Sequence, residues 1–257
     1  MTFDPRPEPA ASASASAAPG SDRRPSGTWA EPIDRLRVGA LPSEAVNLNV
    51  TGRRLVGPVQ GFGRLWQKTY QVRIDAVEAE TVIATWKAEF GSFWPAGNRF
   101  YGPLTGIAPG EVALLNLAVP GGQLLSTGIM VIYADAESFT FMTPEGHMFA
   151  AWITFSAERI GTAAVVRIQV LLRANDPFYE VMMAAGGHRK ENAFWLATLR
   201  NLGARFGSSE EPTMDQVCVD RRRQWGRARN LRHNAALRSG LWSVTHPIRT
   251  VRRLVHG

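Results

Sequence analysis

The sequence holds one cysteine, Cys218, among 257 residues. A lone thiol excludes an intrachain disulfide framework and a cysteine-based structural zinc site, and its place near the C-terminus marks it as an idle thiol rather than a nucleophile. Long hydrophobic runs are missing too. The longest uninterrupted apolar stretch, roughly residues 129–134, falls far short of the ~20 residues that span a bilayer. Residues 1–10 carry acids and prolines where a secretory leader needs a basic start and an apolar run. A cytoplasmic protein is expected. No G-x-S-x-G elbow, H-E-x-x-H or H-x-x-x-H spacing occurs, and His147 and His188 stand apart. Neither a metal nor a cofactor is expected.

Acids are scarce in one place. From residue 218 to 257, ten arginines face one acid, Asp220, whereas the rest of the chain carries 19 basic and 21 acidic residues. The net charge of +7 therefore belongs to the C-terminal segment. Such a block suits an anionic surface or serves as a solvating extension.

Composition divides the chain into four parts. Residues 1–27 are Ala/Ser/Pro-rich and cannot bury enough apolar area to offset their ordering entropy, so disorder is expected. Residues 28–62 form an irregular lead-in broken by Pro32, Pro42 and Pro58. Residues 63–207 form the folded domain, and residues 208–257 a basic amphipathic tail.

Within the domain, residues 64–74 alternate as a strand, with Arg64, Trp66, Lys68, Tyr70 and Val72 on one face. Asp75 offers an N-cap for a helix over 76–90. Four more strand-like stretches (111–119, 124–134, 138–143, 147–158) are separated by turn residues such as Pro120-Gly121-Gly122, and 162–174 is the clearest strand. Short turns between them imply antiparallel pairing. Asp176 and Pro177 then start a helix of about 30 residues that ends at Gly207, with Gly186-Gly187 as a weak point in its middle.

Strand, helix, several antiparallel strands and one long C-terminal helix is the order of a helix-grip fold. The order, the segment EGHMFAAWITFSA (145–157) and the junction LRANDPFY (172–179) make the body resemble the START-like superfamily that includes polyketide cyclases. The resemblance implies an α+β helix-grip fold: a curved antiparallel sheet of six or seven strands wrapped on the long helix, with an apolar cavity between them. It fixes no activity, because that scaffold hosts carriers and enzymes alike.

Two functions follow. One is binding of a hydrophobic, lipid- or polyketide-like molecule in the cavity without chemistry. The other is a cyclase or dehydratase acting there, with His147 and Tyr101 as proton-transfer groups. Candidate wall residues are Trp66, Lys68, Tyr70, Phe139, Phe141, Ile153, Phe155 and Met182, with His188 and Asn192 from the helix middle. His147 reads either as a rim residue on a strand or as a turn histidine satisfied by backbone. Lys68, if inward, must be paired or meet an anionic ligand; otherwise it snorkels to solvent. Arg189, Lys190 and Glu191 read as a solvated outward face.

In the tail, Thr213-x-x-Gln216 has capping-box form and apolar residues recur at helical spacing through Ala235. A second stripe from Leu241 to Val255 is flanked by Arg249, Arg252 and Arg253. With Arg221, Arg222 and Arg223, these suit peripheral contact with an anionic membrane at its inner face. Nucleic acid and folding back on the body are the other readings of the same pattern.

Overall fold

The computed structural model describes residues 27–39, 45–103, 106–118 and 124–242. The expectations for residues 1–26, for the 120–122 turn and for the stripe beyond 242, with Arg249, Arg252 and Arg253, lie outside these residues.

Nine strands form among the described residues: β1 (Leu55–Val56), β2 (Leu65–Asp75), β3 (Arg99–Tyr101), β4 (Val112–Ala118), β5 (Leu124–Ala134), β6 (Ser138–Pro144), β7 (Phe149–Ile160), β8 (Ala163–Ala174) and β9 (Thr213–Asp220). They make one curved antiparallel sheet in the order β3-β4-β5-β6-β7-β8-β2-β9, with β1 pairing β6. The fold class is the expected helix grip. The sheet is larger than six or seven strands because β1, β3 and β9 add to it.

Three helices matter: α1 (Ala79–Ala88), α2 (Pro177–Met182) and α3 (His188–Arg205). α1 starts at Ala79 after Glu78, not at Asp75, which closes β2 and pairs with Arg73 instead. Its buried Val82, Ile83 and Trp86 join Phe90, Phe139 and Phe155 in a dense aromatic core on the concave face. The convex face carries a second core, in which Leu36 and Val50 of the lead-in cover Val112, Leu114 and Met130.

The long helix starts as expected, with the Asp176 carboxylate accepting from the Tyr179 amide and Pro177 in the first turn. It does not run through. Residues Met183–Gly187 form a π turn in which Gly186 takes φ +113°. A bulge of this kind turns the phase of a helix as well as its axis. In α2 the buried residue is Tyr179, followed by Met183 in the turn, while Phe178, Val181 and Met182 are exposed. In α3 the buried stripe is Trp195, Thr198, Leu199 and Leu202, packed in the same cluster as Val72 of β2.

The C-terminal segment departs most from expectation. Thr213 and Gln216 lie in a strand, not in a capping box, because the open edge of β2 offers β9 a full ladder of backbone partners. Arg173, buried in β8, bonds the carbonyls of Gly63 (2.5 Å) and Arg222 (2.9 Å) and the Asp220 carboxylate (2.5 Å). Residues 225–233 make a 3₁₀ turn and residues 235–242 are helical. Asn230 bonds the Asn175 carbonyl at 2.9 Å, Asn234 bonds Asp176 at 2.9 Å, and the Ala236 amide donates to the Tyr179 hydroxyl at 2.9 Å. Residues 213–242 thus pair and bond with the body across residue 207. No helix among the described residues is long and apolar enough to cross a membrane.

Gly186→Ala places a side chain at a backbone angle that L residues adopt only with strain. It is expected to lower unfolding stability by about 1–3 kcal/mol, read as a drop in the denaturant midpoint. An unchanged midpoint would mean that the bend is not held by this residue.

Candidate functional site

The bend decides where space remains. Under α1 and the middle of α3, aromatic rings fill the concave face: Phe139 and Phe155 stack at 4.7 Å and both meet Trp86 edge-on. Under α2 and the π turn they do not, and a cavity of about 700 Å³ opens. Its floor is sheet: Leu115, Leu125, Ile129, Phe141, Ile153 and Val170. Its roof is Tyr179, Met182, Met183 and the Gly186-Gly187 backbone, continuing to Glu191, Phe194 and Trp195. Ala236, Leu237, Gly240 and Leu241 of the C-terminal helix complete the wall.

The expected ligand residues divide accordingly. Phe141, Ile153 and Met182 line the cavity, as does His147. Phe139 and Phe155 sit in the filled core instead, because Trp86 and Phe90 occupy the space beside them. Tyr101 faces the convex core with Leu114 and Val50, on the opposite side of the sheet from its neighbour Phe100, so it does not meet His147. Trp66 packs its ring against His188 at 5.0 Å, and neither is on the cavity wall. Arg221 and Arg222 are exposed, and Arg223 pairs with Glu180 at 2.9 Å.

His147 lies in the turn before β7, not on the strand. Its Nδ1 accepts the Phe149 amide at 3.0 Å, the arrangement of a backbone-satisfied turn histidine. Burial holds its imidazole down at about 4, so it is neutral at pH 7. His188 is also held down at about 4, by burial and by the nearby Lys68 and Arg64 cations.

Lys68 is fully buried and paired. Its ammonium donates to Asn192 Oδ1 at 2.8 Å and forms an ion pair with Glu191. The Tyr70 hydroxyl donates to Asn192 Oδ1 at 2.7 Å and lies 3.5 Å from Glu191 Oε1. Asn192 therefore serves Lys68 and Tyr70, not the cavity. Glu191, expected on a solvated face, has a side chain only 7% exposed. The π turn rotated it inward, onto the stripe of Trp195 and Thr198, four and seven residues on. Burial pushes its carboxyl up from the ordinary range, with Lys68 pulling the other way. Burial likewise raises the Tyr70 hydroxyl, so it stays protonated. Glu191 is the residue that sequence reasoning missed; an inward lysine on β2 was the signal that some carboxylate had to meet it. Among the described residues, no three His, Cys, Asp or Glu side chains gather to hold a metal ion.

No family model matches the chain. No curated protein matches it either. Solved structures of similar fold exist. The di-domain ARO/CYC StfQ from the steffimycin biosynthetic pathway aligns at 10% identity with a TM-score of 0.45, over 55% of this chain and 50% of that one. The chain thus spans about half the length of that protein. Protein Ms6760 from Mycobacterium smegmatis aligns at 10% identity and a TM-score of 0.41, over 56% of this chain and 91% of that one. The KanY protein (ms6282) aligns at 16% identity and a TM-score of 0.41, over 55% and 96%.

Because His147 is neutral when folded and ordinary when unfolded, the unfolded chain binds more protons below pH 6.5. Its contribution to stability is present above that pH and is lost as pH falls towards 4. The loss approaches about 3 kcal/mol at the reference slope of ~1.4 kcal/mol per pKa unit. His147→Asn keeps an acceptor for the Phe149 amide and should flatten the stability–pH curve between pH 6.5 and 4, measured by urea unfolding. Parallel curves for the two proteins would contradict the buried neutral imidazole.

Proposed function

We propose that the chain binds a hydrophobic small molecule, lipid- or polyketide-like, in the space between its sheet and its bent helix. One observation carries this: a cavity of about 700 Å³ whose walls are almost wholly aliphatic and aromatic. Pockets that hold small molecules run from roughly 300 to 1,000 Å³ and are lined in this way. A merely structural core of this composition would be packed shut, as the aromatic cluster beside α1 is. Water gains few hydrogen bonds from such walls, so apolar matter is the favoured occupant. The cyclase or dehydratase reading has less support. It paired His147 with Tyr101, which face opposite sides of the sheet, and His147 has its Nδ1 occupied.

The cavity mouth suggests where such a molecule would come from. Met182 of α2 and Leu237 and Leu241 of the C-terminal helix line it and are 43, 50 and 68% exposed, and Val181, next to Met182 in α2, is 67% exposed. Apolar side chains grouped at a mouth, on a chain whose last 40 residues carry ten arginines, suit contact with an anionic membrane. In this reading the rim meets the acyl region and the arginines meet head groups.

Leu115→Phe and Ile153→Phe fill the floor without adding charge. Each is expected to weaken uptake of Nile red, followed by fluorescence, at least about tenfold while leaving far-ultraviolet circular dichroism unchanged. Uptake equal to the wild type in both variants would place the probe elsewhere and defeat the reading. For the rim, the full chain should co-sediment with vesicles containing anionic lipid, less so at high salt. Val181→Glu with Leu241→Glu should reduce that recovery several-fold. Equal recovery of the double variant would remove the rim from the contact.

A further inference from the structure

The Lys68–Glu191 pair presents only one of its members to the cavity. Glu191 is on the wall, whereas Lys68, Tyr70 and Asn192 stand behind it and are not. An ionised carboxylate accepts at about four lone-pair positions. Here Lys68 fills one on Oε2, and the Tyr70 hydroxyl stands at 3.5 Å from Oε1. The side chain is 7% exposed, so water does little for the remaining positions. A buried ion pair is well compensated only when its leftover lone pairs are also met. The wall thus offers a carboxylate with one close donor, Lys68, one distant one, Tyr70, and lone-pair positions to spare, at the edge of an otherwise apolar space.

From this geometry we infer that the cavity selects neutral apolar molecules that carry a hydroxyl or phenol, whose O–H donates to Glu191. The inference rests on the binding function proposed above and specifies its ligand. A carboxylate-bearing molecule fits worse at this point, because its charge meets that of Glu191 while the Lys68 charge is already matched. A cationic amphiphile fits worse too, since Lys68 lies behind Glu191 and Lys190 lies at the same end of the cavity. Lys190 is exposed, and among the described residues of the wall it is the cation that offers an anionic molecule an alternative seat.

Three rigid fluorescent probes of one skeleton separate these cases: hydroxypyrene, methoxypyrene and pyrenecarboxylate, titrated into the full chain. A hydrogen bond to a charged acceptor corresponds to about a tenfold to hundredfold gain in affinity. The expected order is hydroxypyrene tightest, by at least about tenfold over each of the other two. Removing the pair as a unit, with Lys68→Met and Glu191→Met together, avoids leaving a buried charge alone. That variant should lose the preference for hydroxypyrene over methoxypyrene, the ratio of the two affinities being the readout. Equal affinity of the wild type for hydroxypyrene and methoxypyrene overturns the inference while leaving the cavity a binding site. Tightest binding of pyrenecarboxylate overturns it in favour of a seat at Lys190. A preference that survives in the double variant removes Glu191 from recognition. Failure of all three probes to bind defeats the binding function itself, and this inference with it.

Discussion

A charged pair buried from bulk solvent has to hold its partners still, and in this protein Lys68 and Glu191 do so across the interface between sheet and helix. Lys68 comes from β2, next to the edge of the sheet between β8 and β9, and Glu191 from the first turn of α3. Breaking one partner of such a pair costs several kcal/mol, since the other charge is left buried. The pair therefore fixes the rotation of α3 about its axis. That rotation is incompatible with the stripe of α2, and the π turn at Met183–Gly187 absorbs the difference. Cavity, bend and ion pair are one arrangement: α3 is seated on the aromatic core, α2 is tilted away, and space remains below the bend.

The C-terminal segment is part of the same arrangement. The LRANDPFY junction does two jobs at once. Asp176 caps α2, and Arg173, Asn175 and Asp176 together bind the chain that returns after β9. The returning helix then supplies Ala236, Leu237, Gly240 and Leu241 to the cavity. Its Leu237 and Leu241 are 50 and 68% exposed on the cavity wall.

Much of the fold was legible because it rests on period and punctuation. The alternation of β2 and β8, the turn residues between strands and the Asp176-Pro177 start all translate directly into backbone geometry. The inward parity of Lys68 was legible as well, with its demand for a partner. The partner was not, because a helix phase read continuously from Phe178 turns Glu191 outward. Only a break at Gly186-Gly187 resets that phase, and a pair of glycines signals weakness without giving the angle. β9 was missed for a different reason. Thr213 and Gln216 fit a capping box locally, and what overrides this is the vacant edge of β2, a tertiary fact. Phe139 and Phe155 were read as cavity walls because parity gives the face of a sheet, not which stretch of that face another element fills.

The central claim is that the space beneath the bend, and not the filled core or the outer edge of the sheet, receives an apolar molecule. Methyl-resolved NMR of the full chain, titrated with Nile red, tests it most directly. The account predicts saturable shifts at Leu115, Ile129, Ile153 and Met183, with Val217 and Val219 on the exposed strand β9 unmoved. Shifts confined to Val217 and Val219, or to other surface methyls, with the four interior residues silent, would contradict it.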